Sequence, residues 1–278
     1  MNSVPEAIRR RHSVPPPFGR IVCGIDGSRS SSVAAEQAIA LSGAGTALVF
    51  ACVREHRGAG ATSQATITTE RADTALEAAV ETARQAGVDA AAEILPGHDP
   101  RAVLLDEASR SDLLVVASHG GSRAGGIALG STASAAIHRA HVPVLVARRP
   151  PEGVTFPGRI LVASDGSEGA ERAVELGARI GHAHRSDVYL LCVNRPPHGE
   201  ARRTSAEAAD LTAALGRRPT IVRQPGDPAD RIVALLGSER IALAVVGSRG
   251  LSGVRALGSV SERVAHRAPC SVLVARPA

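Results

Sequence analysis

Aromatic side chains are almost missing from this chain, which has no tryptophan, one tyrosine and three phenylalanines. Its cores must therefore be assembled from Ala, Val, Leu and Ile, and single-stranded nucleic acid, which is bound by stacking on aromatic platforms, is not an expected partner. Cysteine is scarce as well: Cys23, Cys52, Cys192 and Cys270 stand far apart, with no Cys-x-x-Cys, each in or beside an apolar run. Buried thiols in a reducing cytoplasm are expected rather than a disulfide framework. No run approaches the roughly 18 apolar residues of a membrane helix, and the amino terminus has no hydrophobic signal core, so a soluble, unexported protein without a membrane partner is expected. No Gly-x4-Gly-Lys-Ser/Thr is present and no lysine falls in a glycine-rich loop, so the strong phosphoryl-transfer arrangement is missing. No nucleophile elbow follows a strand. The histidines at 138, 141, 182, 184 and 266 form no dense ligand set, so neither catalytic residues nor a metal centre is expected. The formal charge of +5 is modest and dominated by arginine, as a solvated arginine-rich surface gives.

What is present is one stretch that occurs twice. Residues 112–148 and 242–276 each hold a short apolar run, a glycine-rich loop, Gly-Ser opening a helix, and a closing Val-Leu-Val-Ala-Arg. The repeat extends upstream. Arg159 to Ser167 matches Arg20 to Ser28, both ending in Asp-Gly-Ser, and Gly226-Asp227-Pro228 matches His98-Asp99-Pro100. The second copy has lost eleven residues between these points, which places the deletion in its second helix, read as Thr204 to Leu215. A repeat this long divides the 278 residues into two domains, 19–148 and 159–278. A Pro/Gly linker (149–158) joins them, and a flexible leader of Pro, charge and small residues precedes them (1–18).

Each half reads βαβαβαβαβ. Short buried runs alternate with helical spacing, such as Val33, Ala34, Gln37, Ala38 and Leu41, or Ala72, Ala75, Leu76, Ala79, Val80 and Ala83. Ser28 and Asp99 are placed to cap helices, and Gly87 to end one. The order implies two tandem α/β domains, each a doubly wound, mainly parallel five-stranded sheet with right-handed crossovers. With strand order 3-2-1-4-5, the first and fourth strands flank the crevice where ligands bind at their carboxyl ends. Asp26 then faces Gly120 across one crevice, and Asp165 faces Gly250 across the other. The glycines permit close backbone approach, while Gly130 and Ser131, or Gly258 and Ser259, present a helix amino terminus and a hydroxyl to an anion. The Asp carboxylates suit a ribose hydroxyl or base amino group better than phosphate.

These residues resemble the tandem universal stress proteins over 20–148 and 159–276. Nucleotide-binding members of that family carry Gly-x2-Gly-x9-Gly-Ser/Thr after a strand, with an Asp ending the first strand. The first half has Ala117-Ser-His-Gly120 with the nine-residue spacer intact. The second has Gly247-Ser-Arg-Gly250 with a spacer of seven. The resemblance implies an adenine-hydrolase-like fold, ATP as ligand, Asp26 or Asp165 by the adenosine, and Val53 or Val193 bordering the base; a divalent metal such as magnesium would enter with the nucleotide, held mostly by phosphate oxygens and water. The loop would hold the phosphates, with His119 and Arg249 within it as further candidates. Both halves end in an apolar strand, Val144 to Ala147 and Val272 to Ala275, that would otherwise be an exposed sheet edge, so an internal pseudo-dimer of the halves through these strands is expected; the resemblance suggests the same contact, and pairing of whole chains as a homodimer stays open. Three functions fit: nucleotide-dependent signalling without turnover, a slow ATPase, and a nucleotide-free dimeric adaptor in which Asp-Gly-Ser is only a turn with a cap. The first is the expected one, and the first half, keeping its spacer, is expected to bind more tightly.

Overall fold

The computed structural model describes residues 16–54, 63–119, 129–193, 200–248 and 258–276. The first half comprises β1 (Arg20–Gly24), α1 (Arg29–Leu41), β2 (Ala47–Arg54), α2 (Ser63–Gln85), β3 (Ala90–Pro96), α3 (Pro100–Ala108), β4 (Leu113–Ala117), α4 (Ser131–Arg139) and β5 (Val144–Ala147). The second comprises β6 (Arg159–Ser164), α5 (Glu168–His184), β7 (Asp187–Val193), α6 (Glu200–Leu215), β8 (Thr220–Gln224), α7 (Pro228–Ser238), β9 (Leu243–Gly247), α8 (Ser259–Arg267) and β10 (Ser271–Ala275). The deleted residues do shorten the second helix, to 16 residues from 23, but α6 begins at Glu200, four residues before the sequence-based start. The leader also needs correction: Phe18 is buried in the core and its carbonyl accepts from Thr46 Oγ1 at 2.9 Å, so the fold begins before β1.

The strands form one sheet in the order β3-β2-β1-β4-β5-β10-β9-β6-β7-β8. Each half winds 3-2-1-4-5 with all its strands parallel, as expected for continuous Val/Leu runs buried on both faces. The two five-stranded sheets are fused at the seam. There β5 and β10 pair antiparallel, with Leu145 opposite Leu273, so the strand edges that would otherwise be exposed cover each other. Helices α1, α2, α5 and α6 pack on one face and α3, α4, α7 and α8 on the other, each layer contributing one apolar, mainly aliphatic cluster that runs across both halves. Because the halves run in opposite directions, the carboxyl ends of β1–β5 lie on one rim of the sheet and those of β6–β10 on the opposite rim.

Polar contacts lock the seam. Each Val-Leu-Val-Ala-Arg arginine reaches across it: Arg148 Nη2 donates to Ala265 O at 2.6 Å, and the Arg276 guanidinium donates to Ile137 O. Both carbonyls lie in the last turn of a helix, where backbone acceptors lack a helical donor and the dipole is negative. At Ala265 the residue four further on is Pro269, which has no N–H to give. Other contacts occur on one side only. Fully buried Ser271 accepts from Arg148 N–H at 2.9 Å and lies 2.8 Å from Gln37 Oε1, while Gln37 Nε2 donates to Arg148 O at 2.7 Å. Pro143 takes the corresponding place in the first half. His138 Nε2 meets Glu262 Oε1 at 3.3 Å, where the mirrored positions hold His266 and Ser134.

Candidate functional site

In the first half, β1 gives way to an Asp26-Gly27-Ser28 turn. Exposed Asp26 accepts the Ser28 N–H on Oδ1 at 2.9 Å, a local turn of the kind Asp favours. Ser28 Oγ accepts from Ser31 N at 3.1 Å and caps α1. Gly27 has φ +76, and a Cβ there would lie 3.0 Å from the Arg71 carbonyl carbon, so α2 clamps the turn through its backbone. Val53, one strand over on β2, is half-buried against the α3/α4 layer.

β4 ends at Ala117, which is extended, so its methyl group meets no demand for positive φ. The chain returns at Gly130, whose N–H donates to Ser118 O at 2.8 Å and so pins the ends of the loop together. Gly130 is the N-cap of α4 and no side chain caps it. The first helical bond is Ser134 N–H to Gly130 O, which leaves the N–H groups of Ser131, Thr132 and Ala133 directed out of the helix end. Ser118 Oγ lies 2.9 Å from His119 Nδ1, and His119 Nε2 is buried without a partner. The order β2-β1-β4 thus gathers Val53, Asp26 and the Gly130–Ser131 helix start on one rim. Gly120 and the rest of the loop lie outside the described residues.

The second half repeats this plan on the opposite rim with Val193, Asp165 and Gly258–Ser259. Asp165 Oδ1 accepts from Ser167 N at 3.1 Å and from Ser167 Oγ at 2.6 Å, and Ser167 caps α5. Gly258 N–H donates to Ser248 O at 2.6 Å, and α8 likewise has no side-chain cap. Ser248 Oγ, fully buried, has no partner. The loop ends are pinned alike in both halves, so the two-residue difference in spacer falls among residues 249–257, which with Gly250 and Arg249 lie outside the described residues.

Two features were not legible in the sequence. A Cβ at Gly247 would lie 2.6 Å from the carbonyl carbon and oxygen of Gly169, so this glycine is required by the packing of α5 on β9. Its presence is therefore no sign by itself of a phosphate loop. The second feature is Glu207 on α6, 7% exposed, which accepts from Ser164 Oγ at 2.5 Å while Ser164 Oγ accepts from Gly166 N–H at 3.1 Å. Burial holds its carboxyl above the usual range; the Ser164 bond opposes this and the negative charges of Asp165, Glu171 and Asp210 add to it. The first half has Ile25 where Ser164 stands, and that one exchange within matched strands was the available signal.

Among the described residues no group of three or more His, Cys, Asp or Glu could hold a metal, and no helix is long and apolar enough to cross a membrane. The thiols of Cys23, Cys52 and Cys270 are buried, and burial pushes Cys270 up to about 12. A cavity of about 260 Å³ lies at the amino ends of β6 and β7, lined by Gly153, Thr155, Arg159, Asp187 and Arg240 among others. It contains none of the candidate residues.

Comparison with known proteins is consistent throughout. The model of the universal stress protein family matches residues 17–148 and 157–276. The chain is 33% identical over 135 residues to the universal stress protein in QAH/OAS sulfhydrylase 3'region of Thermus aquaticus, covering 42% of this chain and 97% of that protein. It is 30% identical over 194 residues to the universal stress protein Rv2623 of Mycobacterium tuberculosis, covering 62% and 64%. The crystal structure of a universal stress protein from Archaeoglobus fulgidus shares the fold at a TM-score of 0.73 and 22% identity, covering 94% of this chain and 99% of that one. With one matched segment in each half, the chain belongs to the universal stress protein family and carries two of its domains in tandem.

Proposed function

We propose that this protein binds adenine nucleotide, ATP being the expected ligand, and acts in stress response or signalling through a nucleotide-dependent change of conformation or partner binding. The observation that carries this reading is the uncapped start of α4, with its three outward N–H groups, on the same rim as Asp26 and Val53. Buried polar groups that lack partners support it. With the Ser118 hydroxyl donating to Nδ1, His119 carries its proton on Nε2, where a phosphate oxygen would satisfy it; Ser248 offers an unmet hydroxyl at the corresponding point of the second half. Asp26 and Asp165 would accept from ribose or base, and Val53 and Val193 would give the adenine aliphatic walls. Magnesium would screen the phosphate charge and be held mostly by phosphate oxygens and water, with Ser131 or Ser259 contributing a hydroxyl.

Turnover should be slow, since no P-loop lysine accompanies the loops. The test is nucleotide analysis of the purified protein after denaturation, followed by equilibrium dialysis with labelled ATP. Bound adenylate released at a fixed molar ratio is expected. Failure of both experiments would leave the nucleotide-free adaptor, and multiple-turnover hydrolysis faster than about one per second would overturn the non-enzymatic reading.

A further inference from the structure

The two rims differ in the charge of the helix starts that open on them. In the first half α1, α3 and α4 have no acidic residue in the first turn, whereas in the second α5 carries Glu168 and Glu171, α7 carries Asp230 and α8 carries Glu262. Matched positions show the exchange: Glu168 stands where the first half has Arg29, Glu171 where it has Ser32, and Glu262 where it has Ser134. Over the first four residues of these three helices the first half has two arginines and no acid, and the second has four acids and one arginine. A further carboxyl lies beneath the Asp165 turn. Burial, and then the negative charges of Asp165, Glu171 and Asp210, hold Glu207 above the usual range, while the corresponding strand end in the first half is the apolar Ile25 where Ser164 receives it.

An uncapped helix start attracts an anion because its N–H groups and dipole present positive charge. A carboxylate in the first turn meets that charge from within the chain. Since β6 and β9 are neighbours, the starts of α5 and α8 open on one crevice, and a phosphate brought there would meet Glu168 and Glu262; one brought to α4 meets no such group. The base of each loop differs in the same sense. His119 Nε2 is a donor suited to phosphate, whereas fully buried Ser248 offers a neutral hydroxyl that an uncharged ligand satisfies as well. Arg263 on α8 is met by Asp227 at 2.8 Å; Arg249, matched to His119, lies outside the described residues and returns a single positive charge. We propose, resting on the adenine reading above, that the two rims divide their ligands by charge: the first takes the triphosphate, and the second takes the nucleoside, adenosine in preference to ATP.

Equilibrium dialysis of the full chain against differently labelled ATP and adenosine together, in magnesium-containing buffer, tests this. The protein should hold an equivalent of each at once, Asp26→Ala losing the ATP and Asp165→Ala the adenosine. Glu168→Gln with Glu262→Gln removes charge from the second rim while residue 262 can still accept from His138. In that double variant ATP should bind the second rim several-fold more tightly and begin to displace adenosine. Ser134→Glu, the reverse change, should weaken ATP binding at the first rim by a similar factor. ATP that displaces all adenosine from the wild type, adenosine lost with Asp26 rather than Asp165, or charge variants that leave the competition unchanged would each overturn the division while leaving the adenine reading in place. Binding of neither ligand would instead overturn the adenine reading, and the division with it.

Discussion

Gly247 and Ala117 occupy the same place at the end of the fourth strand of their halves, and packing rather than the loop decides which of them must be glycine. The loop pattern treats Gly247 as intact and Ala117 as damaged, yet the residue at either position is extended. What decides between them is the neighbouring helix, Gly169 of α5 in one case and α1 with Ser30 at that position in the other. Gly247→Ala should cost about 1–3 kcal/mol, because its contacts are backbone and only a shift of α5 relieves them. Ala117→Gly should cost about 0.5–1 kcal/mol. Urea unfolding that gave the reverse order would refute the packing explanation. Glu207 makes a second prediction at this scale. Its carboxyl gives up its proton less readily folded than unfolded. At low pH both states hold the proton and the group is neutral to stability. As pH rises through the ordinary carboxylate range the unfolded state ionises first, and stability falls until the raised folded value is passed. Glu207→Gln can still accept from Ser164, so it should melt at a higher temperature than wild type at pH 7. The two proteins should converge below about pH 4; a gap that persisted there would show that the difference is not one of ionisation.

At the scale of elements, much was legible. Apolar runs fit only for buried strands, helical spacing and caps such as Ser28 and Asp99 specify the order of strands and helices without any long-range information. The repeat adds the division into halves, and the apolar last strands point to the seam. The candidate site was legible to the same depth, because Asp26, Val53 and Gly130–Ser131 all fall at carboxyl ends of strands that the 3-2-1-4-5 order makes neighbours. Contacts that occur once, between residues far apart and without periodicity, leave no such trace. Glu207 with Ser164, and Gln37 with Ser271, are of this kind. The helix starts also bear on the ranking of the two sites. Pinning Gly258 to Ser248 keeps α8 in place despite the shorter spacer, so any loss at the second site belongs to the cradle and not to the helix end. We expect the first half to bind ATP more tightly still, with its full spacer and no buried carboxyl beneath its Asp turn. Calorimetry on Gly130→Val and Gly258→Val should show the larger loss of ATP binding for Gly130→Val, and the opposite order would reverse the ranking.

For the whole molecule, the seam makes each half dependent on the other. Val144, Leu145, Val146 and Ala147 are all at most 1% exposed, and β5 has no other cover on its outer edge than β10. Either half expressed alone should therefore pair with itself through that strand; light scattering showing a stable monomer at high concentration would contradict this. Covalent fusion also alters what mutation can do. In a dimer of identical chains every substitution at the axis appears twice, and a change that helps on one side must be tolerated on the other. Here Ser271 faces Arg148 and Gln37 while Pro143 stands in the mirrored place, and Glu262 meets His138 while Ser134 stands across from His266. Glu262 against Ser134 is a difference of one residue, while the Ser271–Gln37 contact rests on two, since Pro143 and Leu176 stand in the mirrored places. A tandem gene thus lets the two halves drift apart one residue at a time while the shared sheet keeps them together, so one rim is free to acquire a ligand or a role that the other never has.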